Sequence, residues 1–157
     1  MQLSLHADYA LRALIYLGIH RGEVASTRQI SDAYGISRHH LVRVMQTLGE
    51  HGLIDVLPGR TGGVRLAVDP ALIRLGDVVR QTEPSLRLVE CFERATNTCP
   101  IADCCELRGV LHEALESFVG TLNRYTLADL LTSKRHGQLA ARFITLTARP
   151  TVRGVRL

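Results

Sequence analysis

Between Ser26 and Ala67 the chain runs through a capped helix, a glycine turn, a second helix and a glycine-rich hairpin, and few folds accept that order. Ser26-Thr27-Arg28-Gln29 has capping-box spacing, in which the serine hydroxyl and the glutamine side chain satisfy backbone N–H groups at a helix start. That helix should end near Tyr34, because Gly35 supplies the positive φ of a tight turn. Ser37 is placed to cap a second helix over roughly residues 38–51, with Leu41, Val44, Met45 and Leu48 inward and Gly52 as the stop. Two helices joined by such a turn make a helix-turn-helix. Leu53–Leu57 and Val64–Ala67 then read as short strands around Pro58-Gly59-Arg60-Thr61-Gly62-Gly63, a hairpin that turns the unit into a winged helix-turn-helix.

Helical period also marks residues 4–20, where Leu5, Tyr9, Leu11, Leu14, Ile15, Leu17 and Ile19 crowd one broad face. A shorter helix is expected over 76–82. A long one runs from about Glu106 to Tyr125, with Leu107, Val110, Leu111, Ala114, Leu115, Phe118, Val119 and Leu122 in a wide apolar stripe. A single winged helix has little surface to cover that stripe, so it reads as a dimer seam. Thr126 should cap a last turn over 127–131. The expected fold is mainly α with one small β-hairpin: a winged helix-turn-helix plus a long dimerisation helix over residues 1–131. A basic tail over 132–157 reads either as a loose helix around the apolar island 139–146 or as unstructured chain.

Composition narrows the functions. Apolar residues make up 46 % of the chain, enough for a real core, while three Phe, four Tyr and no Trp argue against a single-strand binder built on aromatic platforms. No basic segment leads into an apolar run near the N-terminus, and no apolar stretch has the length of a membrane span, so a cytoplasmic protein with reduced thiols and no membrane partner is expected. The net charge of +4 is uneven: residues 130–157 hold Lys134, Arg135, Arg142, Arg149, Arg153 and Arg156 and no acid. Residues 1–129, with 13 basic and 15 acidic side chains, carry −2. The basic balance therefore belongs to the tail, and the case for DNA binding by the body must rest on local pattern.

That pattern is specific. The second helix of the pair should enter the major groove, presenting Ser37, Arg38, His39, His40, Arg43 and Gln46. Arginine can bond guanine O6 and N7 together, and glutamine can do the same to adenine. Arg28, near the start of the first helix, is placed to meet backbone phosphate, and Arg60 at the hairpin tip suits the minor groove. Gly62 and Gly63 would let the chain pass close to the sugar–phosphate rim. His51 reads as a helix-end residue.

All four cysteines fall in one window, Cys91-x7-Cys99-x4-Cys104-Cys105. Reduced surroundings argue against a disulfide frame. Structural zinc usually takes paired Cys-x2-4-Cys elements, and adjacent Cys104 and Cys105 do not easily share one tetrahedral ion. A catalytic thiol, as in a small zinc or thiol enzyme, needs a base and a pocket that nothing here frames. An iron–sulfur cluster accepts irregular thiolate spacing along a loop, and Asn97, Thr98, Pro100 and Ile101 form a turn-prone, partly apolar shield for one.

Leu5-His6-Ala7-Asp8-Tyr9-Ala10-Leu11-Arg12, Ile36-Ser37-Arg38-His39-His40-Leu41, Gly59-Arg60-Thr61-Gly62-Gly63, Leu75-Gly76-Asp77-Val78-Val79 and Leu88-Val89-Glu90-Cys91-Phe92 resemble the Rrf-type winged-helix iron–sulfur regulators over about residues 1–131. Asn97-Thr98-Cys99-Pro100-Ile101 is similar to the NsrR-like, nitric oxide-sensing branch. The resemblance implies a homodimeric transcriptional repressor, not an enzyme, that holds double-stranded operator DNA while it carries a 4Fe–4S cluster. A regulator of cluster supply or redox state with a 2Fe–2S centre is the alternative. Nitric oxide would release the DNA and derepress nitric oxide detoxification genes. The implied ligands are Cys91, Cys99 and Cys105, the last being six residues after the second as in the family, with Cys104 an extra thiol. Arg108 stands where the IscR-like branch has a histidine ligand. Asp8 matches the aspartate that NsrR-like members contribute from the partner subunit; its bland alternative is a salt bridge to Arg12. His6, His112 and Glu106 are fallback ligands.

Overall fold

The computed structural model describes residues 2–59, 62–132 and 137–143. Arg60 and Thr61 at the hairpin tip, and most of the basic tail, lie outside these. Helix α1 spans Leu5–Ile19, with the Ser4 hydroxyl accepting the Ala7 N–H at its start. Helix α2, Thr27–Tyr34, opens with the expected capping box: Gln29 N–H donates to the Ser26 hydroxyl, and Ser26 N–H to Gln29 Oε1. Gly35 then takes φ +66°, a conformation that a Cβ disfavours, and the turn delivers α3, Arg38–Glu50. One expectation fails here. Ser37 occupies the N-cap position of α3 but makes no side-chain capping hydrogen bond, so its exposed hydroxyl is left to other partners.

Strands β1, Ile54–Leu57, and β2, Gly63–Leu66, pair antiparallel with Val56 opposite Val64. Ala25, just before α2, bridges Val64 through hydrogen bonds of 2.9 and 2.8 Å, which fixes the wing to the reader. Leu14, Leu17, Ile30, Leu41, Leu48, Ile54, Val64, Ile73, Val78 and Leu127 are all buried in one core. Helix α1 lies at its centre, against α3, α4 (Leu75–Thr82) and α6 (Leu127–Leu130). Thr126 caps α6 in a second capping box with Asp129. The Thr126 N–H and hydroxyl together hold the Asp129 carboxyl below the usual carboxylate range.

Helix α5, Glu106–Leu122, leans on α4. A Cβ on Gly76 would meet the Asn123 side chain and lie 2.6 Å from the Val119 carbonyl oxygen, so only glycine allows this approach. Gly76→Ala is accordingly expected to cost about 1–3 kcal/mol, since the obstacle is backbone rather than a flexible side chain. At this size that lowers the thermal midpoint by roughly 2–4 °C per kcal/mol. Circular dichroism melting checks it; an unchanged midpoint would mean the two helices can part without loss.

Of the apolar stripe on α5, Leu115 and Val119 are buried, whereas Leu107 and Val110 are 60 % and 61 % exposed. The single chain therefore covers only part of the face. Residues 137–143 are helical and Phe143 is buried at 6 % exposure, edge-on to Tyr16 and Tyr34 with ring centroids 5.2 Å from each. The remainder of the 139–146 island lies outside the described residues. Burial pushes the Tyr34 phenol well above its ordinary pKa, and the neutral hydroxyl donates to the Arg12 carbonyl at 2.9 Å. Among the described residues, no helix is long and apolar enough to cross a membrane.

Candidate DNA-reading face and cysteine loop

Helix α3 sorts its residues by face. Leu41, Val44, Met45 and Leu48 are buried, and Ser37, Arg38, His39, His40, Arg43 and Gln46 are exposed on the other side. Among the described residues, neither Arg38 nor Arg43 is held by an ion pair. Gln46 is engaged: its Nε2 donates to Glu50 Oε1 at 3.0 Å and must let go to read a base. His40 leans toward the Tyr9 ring at 6.3 Å, and His39 toward His40 at 6.2 Å. Arg28 is 76 % exposed and faces Asp32 at 3.6 Å, a loose pair that phosphate can outcompete.

The glycines of the wing have a reason inside the chain. A Cβ on Gly62 would collide with the Leu57 carbonyl oxygen, and one on Gly63 would lie 2.5 Å from that of Ala25. Hairpin closure alone thus requires glycine at both places, whatever the wing does on DNA. Val42 was not anticipated. It is 55 % exposed on the outward face, one turn from Arg38 and His39 and one turn from Gln46. A β-branched residue among polar ones on a reading helix was the available signal.

The cysteine loop is built without a core. From Glu83 to Ala114 no residue is buried. Its order comes from polar pins instead. A single turn of 3-10 helix, Glu90–Phe92, carries Cys91. Glu90 Oε1 accepts both the N–H and the hydroxyl of Thr98, each at 3.1 Å, which ties the neighbour of Cys91 to the neighbour of Cys99. Asn97 Oδ1 accepts the Cys99 N–H at 3.2 Å. The Phe92 ring lies 5.9 Å from that of His112 on α5. Cys105 sits at the N-cap of α5, where an anionic sulfur would face the positive helix end; Cys104, one residue earlier, is exposed and its thiol donates to the Ile101 carbonyl at 3.5 Å.

All four thiols are free, and Cys91, Cys99 and Cys105 are half-buried. Among the described residues, no group of three or more His, Cys, Asp or Glu side chains stands in metal-binding geometry in the single chain. The donor set still fits an iron–sulfur group. Three half-buried thiols line a loop that has no apolar interior of its own, and soft thiolates are what such clusters require. Asp8 is occupied: Arg12 Nε donates to Oδ1 at 3.0 Å and Nη2 lies 2.7 Å from Oδ2, with the pair about two-fifths exposed. His6 is 3.1 Å from the Thr47 hydroxyl on α3.

Both ends of the loop are fastened to the reader. At its start, Glu83 Oε1 accepts the Ser4 N–H at 2.7 Å, at the cap of α1. Two residues on, His6 meets Thr47 of the reading helix, and these groups with Arg43 and Gln46 line one cleft of about 590 Å³. The sequence carries no sign of the Glu83 and Glu90 pins, because one acceptor on a loop looks like any solvated carboxylate.

A family model described as an iron-dependent transcriptional regulator, Rrf2, matches residues 3–133. The HTH-type transcriptional regulator NsrR of Shouchella clausii is 47 % identical over 135 residues, covering 85 % of this chain and 91 % of that protein. The regulator of the same name from Halalkalibacterium halodurans is 48 % identical over 135 residues, covering 85 % and 92 %. Among solved structures, T. potens IscR superposes with a TM-score of 0.69 at 26 % identity, covering 88 % of this chain and 91 % of that one. CymR (YrzC), the global cysteine regulator of B. subtilis, gives 0.65 at 26 % identity, covering 83 % and 95 %. A reading helix, a wing and a thiol loop in this order, with these relatives, place the chain in the Rrf2 family as an NsrR-like transcriptional regulator, a DNA-binding protein rather than an enzyme.

Proposed function

We propose that the chain is a homodimeric repressor, acting in the cytoplasm, in which Cys91, Cys99 and Cys105 hold a 4Fe–4S cluster, Asp8 of the partner subunit completes the ligation, and nitric oxide is the signal that releases operator DNA. The genes so freed would serve nitric oxide detoxification. The observation that carries this reading is the loop's attachment: the chain's only cysteines lie on a coreless segment fastened to the cap of α1 at Glu83 and opening α5 at Cys105.

When bound, the cluster would supply iron able to ligate a small gas. The chain's own residues would pass the change on. Glu90 and Thr98 keep Cys91 and Cys99 in one register. Cys105 at the N-cap moves with α5, whose uncovered Leu107 and Val110 suit a two-fold partner helix. Glu83 holds the cap of α1, and His6 on that helix touches the reading helix at Thr47. Loosening the loop would therefore alter the spacing of two reading heads that must match half-sites about 34 Å apart. Asp8 can be spared for this duty. An exposed i,i+4 pair such as Asp8–Arg12 is worth about 0.3–0.5 kcal/mol, little against a metal bond.

Anaerobic purification with iron, sulfide and absorbance measurement tests the cofactor. Coloured protein with iron and acid-labile sulfide is expected, and colourless protein holding zinc alone would contradict it. Exposed Val42 carries a separate expectation: it packs on a thymine methyl. Replacing single operator thymines by deoxyuracil should then weaken wild-type binding several-fold at one position per half-site, and Val42→Ala should abolish that sensitivity. Equal sensitivity in both proteins would remove Val42 from the reading set.

A further inference from the structure

The basic C-terminal segment lies beyond the region that the family model covers, and nothing above uses it. Its root is anchored. Phe143 is 6 % exposed and wedges edge-on between Tyr16 and Tyr34, with the His20 ring 6.4 Å away. Leu139, a turn earlier, packs on the same core. Tyr34 is the last residue of α2, four residues before Arg38 opens the reading helix. The anchor thus sits at the helix-turn-helix and not at the dimer seam. Arg142 beside it is exposed, and Arg149, Arg153 and Arg156 follow within the last fourteen residues, with no acid after Asp129. At about 3.3 Å per residue those fourteen residues can reach up to about 46 Å, past the edge of one half-site.

We propose that the segment after Phe143 is a cationic arm that binds the DNA sugar–phosphate backbone beside the operator, without reading sequence. This rests on the chain being a DNA reader. A tail of one charge sign that starts next to the reading helix meets phosphate whenever the helix enters the groove. Arginines spaced among small and apolar residues offer charge and hydrogen-bond donors but no fixed frame for base edges.

The test uses the full-length, cluster-loaded protein, an operator selected by it from random duplexes, and a scrambled duplex of equal length. Binding is measured across a salt series. Replacing Arg149, Arg153 and Arg156 together by Ala should make the log–log salt slope shallower by about 0.9 for each phosphate no longer neutralised, so about 2.7 if all three arginines sit on phosphate. The change should be equal on both duplexes, leaving the specificity ratio intact, and the triple Lys replacement should restore most of the slope. Phe143→Ala, which lengthens the tether, should keep the slope and weaken binding several-fold. An unchanged slope in the triple Ala protein overturns the proposal. So does tighter binding, which would put the arm on the protein's own acidic body, or an effect confined to the operator. Unchanged affinity in Phe143→Ala overturns the anchoring. Wild-type protein with no operator preference would defeat the DNA-reader reading itself; wild-type preference with an unchanged slope defeats only the arm.

Discussion

Cys91→Ala and Cys99→Ala proteins, prepared without oxygen, are expected to contain no iron or sulfide and to bind operator no better than unrelated DNA, while Cys104→Ala keeps both properties. The expected loss is large because specific sites are held at least about a thousandfold more tightly than non-specific ones. Without the cluster, the loop from Glu83 to Ala114 has no buried residue to hold it, and it can no longer set the position of α5 through Cys105. The cysteines differ in setting as well as in number. Cys105 is half-buried at a helix start, and Cys104 is exposed and turned toward the Ile101 carbonyl. Iron and sulfide assays on all four single variants, followed by operator titration, check the assignment. Bleaching in Cys104→Ala with colour retained in Cys105→Ala would reverse the ligand register.

Arg43→Ala is expected to leave the cluster's absorbance unchanged and to weaken operator binding by about 1–3 kcal/mol, the worth of one good bidentate base contact. That is a factor of roughly 5 to 150 in Kd. Arg43 is exposed on the outward face of α3, and no ion pair holds it among the described residues, so the guanidinium enters the groove without first breaking a bond. Gln46→Ala should cost less, because binding first spends the Gln46–Glu50 hydrogen bond. Equal weakening on scrambled DNA would recast Arg43 as a phosphate contact, and unchanged affinity at every salt concentration would remove it from the interface.

Much of the reader was legible because its signals are local. The Ser26–Gln29 box, the glycine at 35 and the inward set Leu41, Val44, Met45 and Leu48 each act within a few residues, and each stands where expected. Ser37 misled because residue type marks a cap position but does not dictate that the hydroxyl uses it. Gly62 and Gly63 looked like an allowance for DNA, and their nearest constraint is the chain's own backbone at Leu57 and Ala25. The stripe on α5 could not distinguish its own core from a partner, since both demand the same period; only burial separates Leu115 and Val119 from Leu107 and Val110. The Phe143 anchor was hidden because a lone aromatic in a basic tail has no periodicity to announce its partners. The Glu83–Ser4 and Glu90–Thr98 pins join residues through space, and such pairings leave no mark in one sequence.

The coupling of cofactor to DNA grip is tested most directly by titrating nitric oxide, without oxygen, into purified protein bound to a labelled operator, following absorbance and anisotropy together. Coloured protein that releases its operator in step with the change in absorbance is the expected result. Colourless protein that binds the operator tightly, or coloured protein that keeps its grip as the gas is added, would contradict the proposed repressor.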